Sequence, residues 1–150
     1  MLKSWCRLPG TSADGTIDKA VLVDWLTKAR EECAKLDRQE VADVEIGEML
    51  SNAPADADST WPCLAVRDAM EDINSEEILR GFARGVFSQR GSHWKSLTEG
   101  GAQERQLADK YQKQAESIRA GWPLVAAVLQ RLADGYASDA KREDERLHDR

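Results

Sequence analysis

The chain has 150 residues, 41% hydrophobic and 32% charged, with a formal net charge of −6 at pH 7. This is the composition of a soluble globular chain and excludes wholesale disorder. The acidic balance argues against nucleic-acid binding, whose affinity rests largely on basic groups facing phosphates.

The length predicts one domain spanning 1–150. Three cysteines, Cys6, Cys33 and Cys63, are odd in number and dispersed, so neither a disulfide framework nor a metal knuckle is indicated. The opening MLKSWCRLPG has no apolar run of the signal-peptide kind. No stretch approaches the ~20 apolar residues of a membrane span. The expectation is a cytoplasmic protein with no membrane contact.

Residues 1–15 read as an irregular arm, with turn chemistry at Pro9, Gly10 and Asp14-Gly15. A first helix starts at Asp18, whose carboxylate is placed to cap it. Leu22, Trp25, Leu26, Ala29, Cys33 and Leu36 keep helical spacing on one face. A second, shorter helix is expected to be capped by Asp43, with Ile46, Met49, Leu50 and Ala53 on its buried face. Gly47 inside it either permits a close helix crossing or is simply tolerated, at about 1 kcal/mol relative to alanine.

Pro54 to Ser59 reads as an acidic, structureless connector. Trp61-Pro62 is expected to open a third helix, since proline suits a first helical turn. Asn74-Ser75 ends it. Ser75, followed by Glu76 and Glu77, starts a fourth helix in the way the helix dipole favours. Ile78, Leu79, Phe82, Val86 and Phe87 are expected to be its core face, and Gly81 and Gly85 to allow close packing.

Helical period then stops, and a long loop is expected over about 88–101. A fifth helix follows from about Ala102 to Ile118, and a sixth opens at Trp122-Pro123. Residues 141–150 read as a solvated helix end. The fold class is therefore all-α, a bundle or orthogonal array of about six helices.

One island of the chain is basic. From Ile78 to Thr98 there is no acidic residue, while Arg80, Arg84, Arg90 and Lys95 all fall there. Guanidinium forks and glycine N–H groups are components of an anion site. Arg80, Arg84, Arg90, His93, Trp94, Lys95 and Arg105 are accordingly the candidate ligand-binding residues. The competing reading pairs these arginines with Asp68 to Glu77 or with other helices. Within it, Gly91, Gly100, Gly101 and Glu104 form a structural clasp, with Glu104-Arg105 pairing back to Arg90 or Lys95. His93 has no nucleophile at a recognisable spacing, so no catalytic residue is assigned. No metal or cofactor is implied.

Several strings together carry a resemblance. They are WCRLPG, the aspartate-rich connector before Trp61-Pro62, Arg67-Asp68, the loop from Arg90-Gly91 to Trp94, the run Gly100 to Arg105, and Trp122-Pro123. With these the chain resembles an uncharacterised all-helical domain found in the C-terminal parts of large bacterial proteins. The resemblance implies a bacterial, cytoplasmic accessory module and carries over no activity or catalytic residues.

The leading expectation is a non-enzymatic interaction module that binds a protein partner or a domain of its parent protein. The alternative is a sensor taking an anionic ligand, such as phosphate, a nucleotide or a nucleic-acid backbone, at the Arg80–Arg105 loop.

Overall fold

The structure is a computed structural model that describes residues 7–89 and 101–149. The described residues form six helices: α1 (Lys19–Lys35), α2 (Gln39–Leu50), α3 (Leu64–Ile73), α4 (Glu76–Gln89), α5 (Ala102–Ile118) and α6 (Pro123–His148). They contain no strand beyond an isolated bridge between Thr11 and Ile17. The protein is all-α. Among the described residues, no helix is long and apolar enough to cross a membrane. The chain divides into two compact units, Met1–Gln89 and Arg90–Arg150.

In the first unit, the described part of the N-terminal arm, residues 7–15, is irregular, a series of turns and bends packed on the helices. Leu8 is buried, and the Asp18 amide donates to the Gly10 carbonyl. Gly10 holds a positive φ of 84°, in the left-handed region where a side chain is disfavoured. Between them Asp14 accepts from the Thr16 amide and hydroxyl and from the Ser12 hydroxyl. These bonds, the Ser12 hydroxyl first, lower the Asp14 carboxyl from 3.8 to about 2. A carboxyl whose pKa is lower in the fold stabilises the fold above its unfolded value. The contribution of Asp14 is thus complete above pH 3.8 and lost as pH falls from there towards 2. A carbon-detected NMR titration should give Asp14 a midpoint near 2. Ser12→Ala should move it up towards 3.8, and a midpoint already at 3.8 in the wild type would refute the turn.

Asp18 caps α1 by accepting from the Val21 amide at 3.2 Å. Leu22 and Leu26 are buried and Cys33 is half-buried, but Leu36 is exposed. The reason is that α1 ends one residue before Leu36. Asp37 takes the left-handed conformation at φ 55°. Its amide bonds to Ala34 O and the Arg38 amide to Cys33 O, the paired bonds of a Schellman turn.

That turn delivers the chain straight into α2 at Gln39, so Asp43 is not a cap as expected. It lies one turn inside the helix, where its carboxylate is buried. Ile46, Leu50 and Ala53 are buried as their spacing predicts.

The Pro54–Ser59 connector is ordered rather than structureless. Asp56 accepts from the Leu64 amide at 3.0 Å and pairs with the buried Arg67, whose Nη1 also donates to Pro62 O. Trp61-Pro62 does not form the first turn of a helix. It precedes α3 with a cis peptide bond, and Cys63 is the N-cap. Trp61 is held by its own side chain, stacked on Phe82 at 5.4 Å and donating from Nε1 to Ala53 O at 2.7 Å.

α4 starts as predicted, with the Ile78 amide donating to Ser75 Oγ. Ile78, Phe82 and Val86 are buried, but Phe87 is exposed. One helical step of about 100° turns it off the stripe that repeats every fourth residue.

α2 and α4 touch backbone to backbone. A Cβ on Gly81 would fall on the Val44 carbonyl, and one on Gly47 would fall on Ile78 O and the Phe82 amide. One on Gly85 would meet Ser51. Asp43 meets Ser75, Glu48 meets Arg84 and Ser51 meets Gln89 in rising order, so the two helices run parallel, with α3 as the returning segment. The three glycines are what allow the approach.

The second unit, as far as it is described, is a hairpin of α5 and α6. Trp122 is the N-cap of α6 and Pro123 its first residue. Ala108, Tyr111, Ala115 and Ile118 are buried, as are Val125, Ala126, Leu129, Ala133, Tyr136 and Ala140. Tyr111 and Tyr136 stack at 5.8 Å. The helices are antiparallel, since Gly101 at the start of α5 sits on the Ala140 backbone near the end of α6. α6 continues in a regular helix to His148.

Candidate functional site

The residues of the basic island fall into three groups. Arg80 and Arg84 lie one turn apart and exposed on α4, and Arg84 pairs with Glu48 of α2 at 3.0 Å. Arg105 belongs to the second unit and pairs with Asp144 of α6. Arg90, Gly91, His93, Trp94, Lys95 and Gly100 lie outside the described residues.

Gly101 and Glu104 are described, and both are buried. The Gly101 amide donates to Asp144 at 3.0 Å. Asp144 therefore receives both a backbone and a guanidinium donor. The Gly101 amide, first, and Arg105 hold its carboxyl below the usual carboxylate range. This contact fastens the start of α5 to the end of α6.

A different place in the first unit has the shape of a site. An open cleft of about 840 Å³ lies where the α1–α2 turn faces the start of α4. It is built on a buried polar floor. Asp43 of α2 accepts from Arg30 of α1 through a two-pronged contact, Nε to Oδ1 at 2.8 Å and Nη2 to Oδ2 at 3.0 Å. The Ser75 hydroxyl donates to the same Oδ2 at 2.8 Å while accepting the Ile78 amide. One carboxylate thus joins α1, α2 and the cap of α4. The hydrogen bond from Arg30 to Asp43 is also the leading reason its guanidinium holds its proton more tightly than usual. Ion pairs with two parallel bonds are the strong, geometrically specific kind.

Above the floor the walls differ. Asp37, Glu40, Glu76 and Glu77 supply four carboxylates against the single guanidinium of Arg38. Glu40 lies in the first turn of α2, and Glu76 and Glu77 in that of α4. There a negative charge meets the positive end of the helix dipole. Val41, which lines the cleft, is 64% exposed. Leu36, the C-cap of α1 immediately before the turn, is 72% exposed.

Chemically, the cleft offers charge and apolar surface, its one hydroxyl, Ser75, is engaged by Asp43 and the Ile78 amide, and neither cysteine nor histidine is among its lining residues. Among the described residues, no group of three or more His, Cys, Asp or Glu side chains is arranged to hold a metal ion. Of the two described cysteines, Cys33 is half-buried, and burial pushes the Cys63 thiol up.

The residues of this cleft were not legible as a site beforehand. Leu36 continues the apolar spacing of α1, and nothing local marks Lys35 as the helix end, because the left-handed position holds Asp37 instead of the usual glycine. A signal was present in the run Asp37-Arg38-Gln39-Glu40, four polar residues interrupting two apolar stripes.

No protein-family model, curated protein or solved structure matches the chain.

Proposed function

We propose that the protein is a non-enzymatic interaction module, acting in the cytoplasm, that binds a protein partner or another domain of its parent protein. The corner between α1 and α2 is the binding face in this reading. The observation that carries it is the exposure of Leu36 and Val41. They are the two most exposed large apolar side chains among the described residues; Val41, in the first turn of α2, lines the cleft, and Leu36 is the C-cap of α1 immediately before the turn that lines it. Apolar surface of this kind costs roughly 25 cal/mol for each Å² left in water. Clustered exposure rimmed by polar groups is characteristic of interaction sites. The alternative anion sensor at the Arg80–Arg105 loop draws less support, since Arg84 and Arg105 are engaged by Glu48 and Asp144.

The test is site-specific photocrosslinking in native-host extract. A crosslinker should be placed in turn at Leu36, at Val41 and at the exposed Asn52, beyond the opposite end of α2. Positions 36 and 41 should yield the same discrete adduct, and position 52 should not. The adduct from position 41 should vanish when Leu36 is changed to Asp. Identical adducts from all three positions, or none from 36 and 41, would reject this face.

A further inference from the structure

Resting on the reading of the α1–α2 corner as an interface, we infer that its occupant is a basic segment of a protein carrying an aliphatic anchor. The argument is complementarity of two kinds at one place. Leu36 and Val41 supply the apolar surface. Around Val41 the cleft presents Asp37, Glu40, Glu76 and Glu77 against Arg38 alone. Arg30 and Asp43 cancel one another in the floor, so the remaining side chains give the wall a charge of −3, from four carboxylates less one guanidinium.

Folding alone accounts for part of this. Glu40, Glu76 and Glu77 favour the helix starts on which they stand. It does not account for two aliphatic side chains left in water beside them. A lysine- or arginine-rich segment would place its cations among the carboxylates while an aliphatic residue covers Val41. An acidic segment, a nucleic acid or an anionic membrane surface would meet like charge, the juxtaposition by which specific interfaces suppress wrong partners.

The probe is a short lysine- and arginine-rich peptide carrying two leucines. Two controls accompany it, one with glutamate in place of every basic residue and one with serine in place of the leucines. Binding is followed by amide chemical shifts of the full chain. The basic peptide should shift residues 36–41 and 74–77, and the acidic control should not bind. The serine control should bind about tenfold more weakly, and raised salt should weaken the basic peptide. Glu40→Gln with Glu76→Gln should also weaken it about tenfold, since loss of rim charge chiefly slows association. This variant keeps both helix starts in place, which circular dichroism verifies.

Equal binding of the acidic control overturns the inference. So do shifts scattered over the acidic surface at large, or indifference to the two glutamine substitutions. If positions 36 and 41 crosslink to a host protein whose contacting segment lacks lysine and arginine, the basic occupant is refuted while the interface stands. If they crosslink to nothing, the interface itself fails.

Discussion

Gly81→Ala is expected to destabilise the first unit by about 3 kcal/mol or more, while the same substitution at Gly135 stabilises α6. An alanine in a helix interior is intrinsically better than glycine by roughly 1 kcal/mol. At Gly135 nothing lies within 4 Å of the added carbon, so that gain is realised. At Gly81 the added carbon would fall on the Val44 carbonyl and lie 3.0 Å from Val44 Cα. Those are backbone atoms of α2, which cannot swing aside as a side chain would. The helices must separate, losing contacts along their whole crossing. Overpacking costs about 1–3 kcal/mol even where side chains can adjust. Gly47→Ala should act similarly, since its carbon would meet the α4 backbone. Urea unfolding followed by circular dichroism reads both signs. An increase in stability for Gly81→Ala would show that α2 and α4 do not meet as described.

Asp43→Ala should cost about 3–5 kcal/mol, the usual loss when one partner of a buried ion pair is removed. Asp43 is 3% exposed and satisfies three donor contacts, two from Arg30 and one from Ser75. Its removal leaves a guanidinium that is largely withdrawn from water without its counter-charge. It also frees the Ser75 hydroxyl that caps α4. Replacing both partners, Arg30→Met with Asp43→Leu, should recover most of the loss, because no buried charge is left unpaired and only the Ser75 hydroxyl loses its acceptor. The measurement is a double-mutant cycle from chemical unfolding. Additive losses from the single changes would mean that the two side chains do not interact.

These two sites share a lesson about the cleft. The close approach at Gly47 and Gly81 sets the spacing of α2 and α4, and the Arg30–Asp43–Ser75 network ties α1 to α2 and to the start of α4. Leu36, Val41 and the wall carboxylates are carried on that frame. A variant of the frame should therefore weaken binding at the corner only through lost folding. A variant of Leu36 or Glu40 should weaken binding with stability almost unchanged. The comparison separates positioning from contact.

Local rules determined much of the protein. Apolar spacing placed six helices, Asp18 and Ser75 marked two starts through their capping side chains, and Pro123 marked a third. The four-residue spacing of Gly81 and Gly85 announced a close approach. Each of these signals is contained within a few turns of chain, where helix periodicity and capping operate.

The tertiary structure decided the rest, because the relevant partners are far apart in sequence. Asp43 looked like a cap until Arg30, thirteen residues earlier, and Ser75, thirty-two later, claimed its oxygens. With 27 acidic residues in the chain, no spacing rule selects that one as buried. The acidic connector looked structureless until Asp56 met Arg67 across the start of α3. Leu36 looked like core because its spacing is right, yet a left-handed aspartate ends the helix one residue too soon. Periodicity reports which residues share a face. It does not report where the face stops, nor whether another helix arrives to cover it, and at the candidate interface Leu36 and Val41 stay exposed among the described residues.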